Sequence, residues 1–154
     1  MLTQKAKYAL RALLYIAGKP PGSHPTIAEI AEHRQVPHKF LELILGELRE
    51  AGLVMSRRGR NGGYALAQGS DTISVGAIVR LMDGPLAPIS CASLTAYRRC
   101  ADCEDEATCA IRLVMRQVRD ATSAILDRTM LADLAGQAEP LLPAAGAQPQ
   151  DALK

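Results

Sequence analysis

Four cysteines fall within nineteen residues, in the order Cys91, eight residues, Cys100, two residues, Cys103, five residues, Cys109. Thiols this close, in a chain without signs of secretion, point to a metal or redox centre before they point to disulfides. Three chemistries compete for them. A structural Zn(Cys)4 site usually pairs two Cys-x-x-Cys knuckles, and only Cys100 to Cys103 has that spacing. A redox pair at Cys100 and Cys103 lacks the βαβ surroundings of thioredoxin-like motifs. An iron–sulfur cluster accepts irregular spacings in a flexible loop. Spacing alone leaves zinc and iron–sulfur level.

A second group of residues carries charge rather than thiols. Arg57, Arg58, Arg60 and Asn61 fall on a tight turn with Gly59, Gly62 and Gly63, and Tyr64 follows. The glycines can simply supply positive φ and the arginines keep a sheet edge soluble. Three arginines within four residues at a hairpin tip, after a helix with its own polar face, make DNA the better reading. Arginine binds phosphate or enters a narrow minor groove, and glycine lets backbone approach closely. The run is not a nucleotide P-loop, because no Gly-Lys-Ser/Thr follows it. On the preceding predicted helix, His38 and Lys39 lie in the first turn, where recognition helices meet base edges, and Arg49 lies near the end. Glu42, one turn on, can accept from a cytosine amino group. His38 reads equally as a base contact or as a solvated helix start, and His24 and His33 read as structural.

The elements that must position these groups follow from periodicity. Ala6, Leu10, Leu13 and Ala17, with Ala9 and Ile16, predict an amphipathic helix from Thr3 to about Gly18. Thr26 predicts the cap of a short helix to about His33, with Glu29 completing a capping box. Pro37 opens a third helix to about Glu50, ended by Ala51-Gly52, with Phe40, Leu41, Ile44, Leu45 and Leu48 facing inward. Leu53–Arg57 and Tyr64–Leu66 read as strands around the glycine-rich turn. Helix, helix, helix, hairpin is the winged helix-turn-helix order, with the third helix directed at the major groove. Ser74 then caps a helix carrying Val75, Ile78, Val79 and Met82. From about Ala107 to Leu134 there is no Pro or Gly, and Ile111, Val114, Val118, Ala121 and Ile125 form a heptad seam. One continuous helix there spans roughly 40 Å, too long to bury on one small domain, so a second copy is the economical partner.

The expected fold class is mainly α. A winged helix-turn-helix domain with a β-hairpin wing (1–84) precedes a cysteine-rich cluster-binding loop (85–106), a long dimerisation helix (107–135) and a disordered tail (136–154). Composition agrees: of 154 residues 48% are hydrophobic, with no Trp and one Phe, so Leu, Ile, Val and Ala must build the core. The net charge of +2 hides an asymmetry, since residues 1–66 carry +5 and the rest −3. A basic first half suggests an anionic partner. Arg11 interrupts the first apolar run, which argues against a signal peptide, and no stretch is apolar enough to cross a membrane. The expected compartment is the cytoplasm, where thiols stay reduced. No nucleophile–base pair or catalytic motif is evident, so the expectation is not an enzyme.

KYALRAL from Lys7, TIAEIA from Thr26, FLELIL from Phe40, LREAGLV from Leu48 and RGRNGGYAL from Arg58, followed by a cysteine loop and a long helix, resemble the IscR/NsrR-type winged-helix regulators of bacteria, the Rrf-two family. The resemblance covers about residues 1–134. It implies a homodimeric transcription factor whose long helices cross and whose winged domains read half-sites of a near-palindromic operator on double-stranded DNA. Many members hold a [2Fe-2S] or [4Fe-4S] cluster on three loop cysteines, to which Cys91, Cys103 and Cys109 correspond. Cluster state then sets DNA affinity, most simply as a repressor of iron, cluster-assembly or nitrosative-stress genes. Two departures stand out. The cluster-assembly regulators carry His three residues after the last cysteine, where this chain has Arg112. The nitric-oxide-sensing group carries Asp before the Tyr of the first helix, where this chain has Lys7. Cys100 is an additional thiol and the candidate fourth ligand. The alternative is a zinc-stabilised or thiol-redox DNA-binding regulator without a cluster.

Overall fold

The structure is a computed structural model, and it describes residues 2–138. The element order is α1 Gln4–Ala17, α2 Ile27–Arg34, α3 His38–Glu50, β1 Val54–Arg57, β2 Gly63–Leu66, α4 Val75–Asp83, a 3-10 turn Ser90–Ala92, α5 Ala110–Arg128 and α6 Leu131–Ala138. This is a mainly helical winged-helix fold with one two-stranded antiparallel hairpin.

Thr3 caps α1 by accepting from the Ala6 amide at 3.2 Å. The helix buries Ala6, Ala9, Ala12, Leu13 and Ile16, while Leu10 and Ala17 pack only partly buried against the core. Thr26 caps α2 as expected, accepting from the Glu29 amide at 3.2 Å. Glu29 also takes the Tyr15 hydroxyl at 2.8 Å and Lys19 Nζ at 2.7 Å, and Lys19 first, then Tyr15 and, least, the Thr26 amide of the capping box hold its carboxyl below the usual range. Helix α2 ends on Gln35 in the left-handed region (φ 52°), which makes the tight turn into α3. Leu41, Ile44, Leu45 and Leu48 of α3 are buried against α1 and α2, and Phe40 meets Tyr8 edge to face at 5.8 Å.

In the hairpin, Val54 pairs with Leu66 and Arg57 with Gly63. Gly63 therefore lies in the strand rather than in the turn. A Cβ there would stand 2.0 Å from the His24 carbonyl oxygen and 2.5 Å from that of Pro25. The Tyr64 amide donates to that same Pro25 oxygen at 2.9 Å. The close approach this glycine permits is thus to the α1–α2 connection, which anchors the wing. Gly63→Ala is expected to loosen the wing and lower the thermal midpoint by several degrees, whereas Gly59→Ala, with nothing within 4 Å but φ +107°, is expected to cost on the order of 1 kcal/mol in backbone strain. Paired thermal melts without DNA check both.

The continuous helix expected over 107–134 is divided. Helix α5 ends at Arg128 and its cap Thr129 turns extended (ψ 114°). Met130 forms an isolated antiparallel bridge with Ser74. The Val75 amide donates to the Thr129 oxygen at 2.9 Å and the Leu131 amide to the Ile73 oxygen at 2.8 Å. Leu131 is then fully buried and α6 packs on α1. The break lets the chain return to the core. Residues 136–138 complete α6, so the expected tail begins inside a helix, and its remainder lies outside the described residues.

Helix α5 is fastened to α4 by a bidentate pair, Arg80 Nη1 to Asp127 Oδ1 at 2.5 Å and Nη2 to Oδ2 at 2.8 Å. Gly76 makes room for it, since a Cβ there would lie 2.0 Å from Asp127 Oδ1. The Arg80 guanidinium holds the Asp127 carboxyl below its ordinary value. Because the folded value is the lower one, the pair stabilises above the unfolded carboxylate pKa and its contribution is lost as pH falls through the folded value. Asp127→Asn is expected to flatten the acid limb of the stability–pH curve below about pH 4 and leave its neutral shape unchanged, as read by denaturant melts across pH.

Candidate functional site

The fold brings the basic residues of the hairpin beside the third helix. His38, Arg49, Arg57, Arg58, Gly62, Gly63 and Tyr64 line one cleft of about 460 Å³, together with the first residues of α2. Arg60 and Asn61 fall on the other flank of the wing. There they line a cleft of about 650 Å³ with Arg57, Gly62, Lys19 and the α1–α2 connection. Lys39 and Glu42 are exposed on α3 outside both clefts, with Glu42 Oε1 3.5 Å from His38 Nδ1. Among the described residues, Lys39, Arg49, Arg57, Arg58 and Arg60 make no ion pair within the chain. These five cations are free for an external anion, and a helix N-terminus in the cleft adds its own partial positive charge.

Leu43 was not singled out by charge or spacing. It is 65% exposed on α3, next to Glu42 and one turn from Lys39. An exposed leucine on this face is suited to a thymine methyl group, which charge-based reasoning overlooks.

The cysteines converge on a separate cavity that shares no lining residue with either wing cleft. Cys91 is 3% exposed in the turn Ser90–Ala92, Cys100 and Cys103 lie in the following loop, and Cys109 occupies the N-cap position of α5. All four line one cavity of about 410 Å³, with Ile89, Ile111, Thr108 and the acidic side chains Asp102, Glu104 and Asp105. Cys100 Sγ donates to Cys91 Sγ at 3.5 Å. That hydrogen bond first, then burial and the charges of Cys91 and Asp102, push the Cys100 thiol up to about 11. Burial, followed by a hydrogen bond with Cys109, raises the Cys103 thiol. Adjacent thiols resist ionising together, and a cation between them removes that repulsion, so the donor set suits a metal centre.

A single metal ion fits less well. Among the described residues no three His, Cys, Asp or Glu side chains are grouped to hold one ion, whereas a Zn(Cys)4 site brings four thiolates to one point. The sulfurs of Cys91 and Cys100 lie 3.5 Å apart, and all four cysteines line one cavity.

Two arginines of α5 hold this loop. Arg112 Nε donates to the Cys91 oxygen at 2.9 Å and its Nη1 to the Glu106 oxygen at 3.2 Å. Arg119, one heptad on and 7% exposed, donates from Nη1 to the Ala92 oxygen at 2.5 Å, and its Nε and Nη2 engage Asp120. The buried carbonyls of the cysteine-bearing turn thus receive donors from α5, as buried carbonyls require. Arg119 carried no sequence signal, since an arginine beside an apolar seam reads as solvated. Asp105 folds the segment between Cys103 and Cys109 by accepting from the Ala107 amide and the Thr108 hydroxyl, both at 2.9 Å. Tyr97 closes the loop from the other side, donating to the Glu106 carboxylate at 2.6 Å.

Alongside these arginines, α5 displays its apolar seam to solvent. Ile111 is 68% exposed, Val114 52%, Val118 42% and Ile125 60%, and Ala121 is also exposed. Apolar side chains at this density call for a covering surface.

Comparison with known proteins agrees with this arrangement. The family model described as Rrf2, iron-dependent transcriptional regulator, matches residues 2–137. An HTH-type transcriptional regulator of Rhodobacter capsulatus, described as rrf2-like, is 45% identical over 143 residues, covering 91% of this chain and 95% of its own. Among solved structures, CymR, the global cysteine regulator of B. subtilis, superposes with TM-score 0.74 at 32% identity, covering 89% of this chain and 97% of its own. IscR of T. potens superposes with TM-score 0.73 at 27% identity, covering 95% and 93%. With the wing beside the third helix and the cysteine loop ahead of an exposed apolar helix, the chain belongs to the Rrf2 family of winged-helix transcriptional regulators.

Proposed function

We propose that this regulator is a cytoplasmic homodimer that represses transcription from near-palindromic double-stranded DNA operators, and that an iron–sulfur cluster, [2Fe-2S] or [4Fe-4S], on Cys91, Cys100, Cys103 and Cys109 sets its affinity for DNA. The observation that carries the reading is the convergence of all four thiols on one cavity whose backbone is held by arginines of α5. When bound, the cluster supplies a centre that iron supply, oxidants and nitric oxide alter. The residues of the chain do the rest. Cys91 and Ala92 are tied to Arg112 and Arg119, so movement of the cysteine turn is passed to α5. The opposite end of α5 is tied through Asp127 to Arg80 of α4, which packs on α1 in the winged domain. A shift in the turn can thereby change how two recognition helices are spaced across a dimer, which is a coupling between two sites in the thermodynamic sense.

On the DNA side, Lys39, Glu42 and Leu43 of α3 face bases, with His38 at the helix start. Arg49, Arg57, Arg58, Arg60 and Asn61 contact backbone or minor groove, and Gly62, Gly63 and Tyr64 shape the wing that carries them. The dimer forms along the exposed seam of α5. Val118→Glu, which sets a charge in the middle of that seam, is expected to dissociate the dimer at micromolar concentration and weaken operator binding together with it. Sedimentation and anisotropy titration on one preparation check this.

A second reading has its own observation. Cys91 and Cys100 at 3.5 Å are also placed to form a disulfide, which favours a thiol-redox regulator without a cluster. Zinc is the other metal for this alternative. Protein purified without oxygen discriminates. A brown solution absorbing near 400 nm, with iron and acid-labile sulfide and with operator affinity that changes on cluster removal, supports the cluster. A colourless protein with zinc, or one whose DNA affinity follows only thiol oxidation, refutes it.

A further inference from the structure

We infer that α3 reads a thymine of its half-site through the 5-methyl group, with Leu43 covering the methyl and Gly46, one turn on, letting the helix come close to the groove. This rests on the DNA-binding reading of α3 above and goes further by naming the base, the group read on it and the residue that sets the distance.

Leu41, Ile44, Leu45 and Leu48 complete the inward face of α3, so Leu43 is not part of the core and stays 65% exposed. An exposed leucine gains by covering an apolar group, and the thymine methyl is the apolar group that base edges display in the major groove.

Gly46 lies three residues on, on the same side of the helix. Inside a helix, glycine is unfavourable against alanine because it has more backbone freedom to lose. Nothing within the chain asks for it here. A Cβ at Gly46 would meet no atom within 4 Å, and its φ is not positive. A glycine in such a place suits the close approach of something outside the chain.

Charge says what that is. Lys39, one turn before Leu43, makes no ion pair among the described residues, while Glu47, beside Gly46, is already held by Lys5 at 2.6 Å. Arg49 lies further along the same helix and lines a cleft with Arg57 and Arg58 of the wing. A leucine and a stretch of bare backbone flanked by free cations fit a polyanion with a methyl in its groove better than an apolar protein surface.

The test uses the full chain purified without oxygen, before and after chelator treatment, and duplexes selected by binding from a random pool. In the selected half-site each thymine is replaced in turn by uracil, which pairs alike and lacks only the methyl. One position is expected to lose about three- to tenfold in affinity, the scale of one buried methyl group. Leu43→Ala is expected to abolish that difference with an unchanged thermal melt, and Leu43→Met to retain it. Gly46→Ala separates structure from recognition. It is expected to hold or raise the thermal midpoint, because alanine favours helix, and to weaken operator binding at least tenfold. Uracil tolerated at every position, or a uracil effect of equal size in Leu43→Ala, overturns the methyl contact. Gly46→Ala that binds as tightly as the unaltered chain overturns the close approach. A pool that yields no enriched sequence in either state overturns the DNA reading together with this inference, whereas an enriched operator indifferent to Leu43→Ala overturns this inference alone.

Discussion

Arg58→Ala is expected to weaken operator binding by about ten- to a hundredfold, corresponding to about 1–3 kcal/mol, and to leave the thermal melt of the free protein nearly unchanged. Arg58 is exposed and lines the same cleft as Arg49 and His38, and among the described residues it makes no hydrogen bond or ion pair within the chain that its loss would break. Its guanidinium can therefore act on an external anion at little cost to the fold. A phosphate role and a base role separate cleanly. If Arg58 neutralises phosphate, the dependence of log affinity on log salt becomes shallower by about one unit per half-site and all sequences lose alike. If it reads a base edge, one position of the half-site loses its preference and the salt slope holds. Arg58→Lys distinguishes point charge from fork, because lysine keeps the charge without the bidentate geometry. Operator binding that is indifferent to Arg58→Ala over a range of salt would show that the wing does not carry the contact.

Leu131→Ala is the substitution expected to damage the fold most, by about 2–5 kcal/mol. Domains of this size have about 5–15 kcal/mol in all, so the loss is a large fraction. Leu131 is fully buried and sits directly after the Thr129–Met130 break, where the chain is bridged to Ser74 and hydrogen-bonded to Ile73. Truncation removes the side chain that closes the core beneath α1 and α4 and weakens the reason for α5 to end where it does. A denaturant melt should show the drop. If the melt is unchanged, α6 is not part of the cooperative unit. Ile125→Ala, by contrast, removes a side chain that is 60% exposed, and under the proposed dimer its effect should grow with protein concentration.

Much of the winged domain was legible because each signal is local. Thr26 and Ser74 cap their helices as their side chains predict, Thr3 caps α1 where the helix was expected to begin, and α3 starts and ends within a residue of Pro37 and Ala51-Gly52. The alternation of buried and exposed positions along α3 follows from a 3.6-residue period alone. Pairing across the hairpin was legible too, although Gly63 moved from turn to strand once the His24-Pro25 backbone was seen packed against it. For the candidate site, the residue types were legible and most of their partners were not. Glu29 answers Tyr15 and Lys19 besides its own helix start. Arg112, a departure from the family pattern, and Arg119, which the sequence did not single out, are the groups that hold the cysteine turn.

By itself, then, the sequence determined the winged-helix order, the basic surface of its first half, the cysteine-bearing loop and the apolar seam of α5, since composition, caps and periodicity are properties of neighbouring residues. Only the tertiary structure decided that α5 stops at Arg128, that Leu131 returns to the core, and that Cys91 lies against Cys100. Those outcomes depend on contacts between residues distant along the chain. A helix continues by local propensity until a buried side chain and a bridge to another segment stabilise the alternative more than the next turn does. Spacing along the loop does not say which thiols meet, and folding brings Cys91 and Cys100 together although 9 residues separate them.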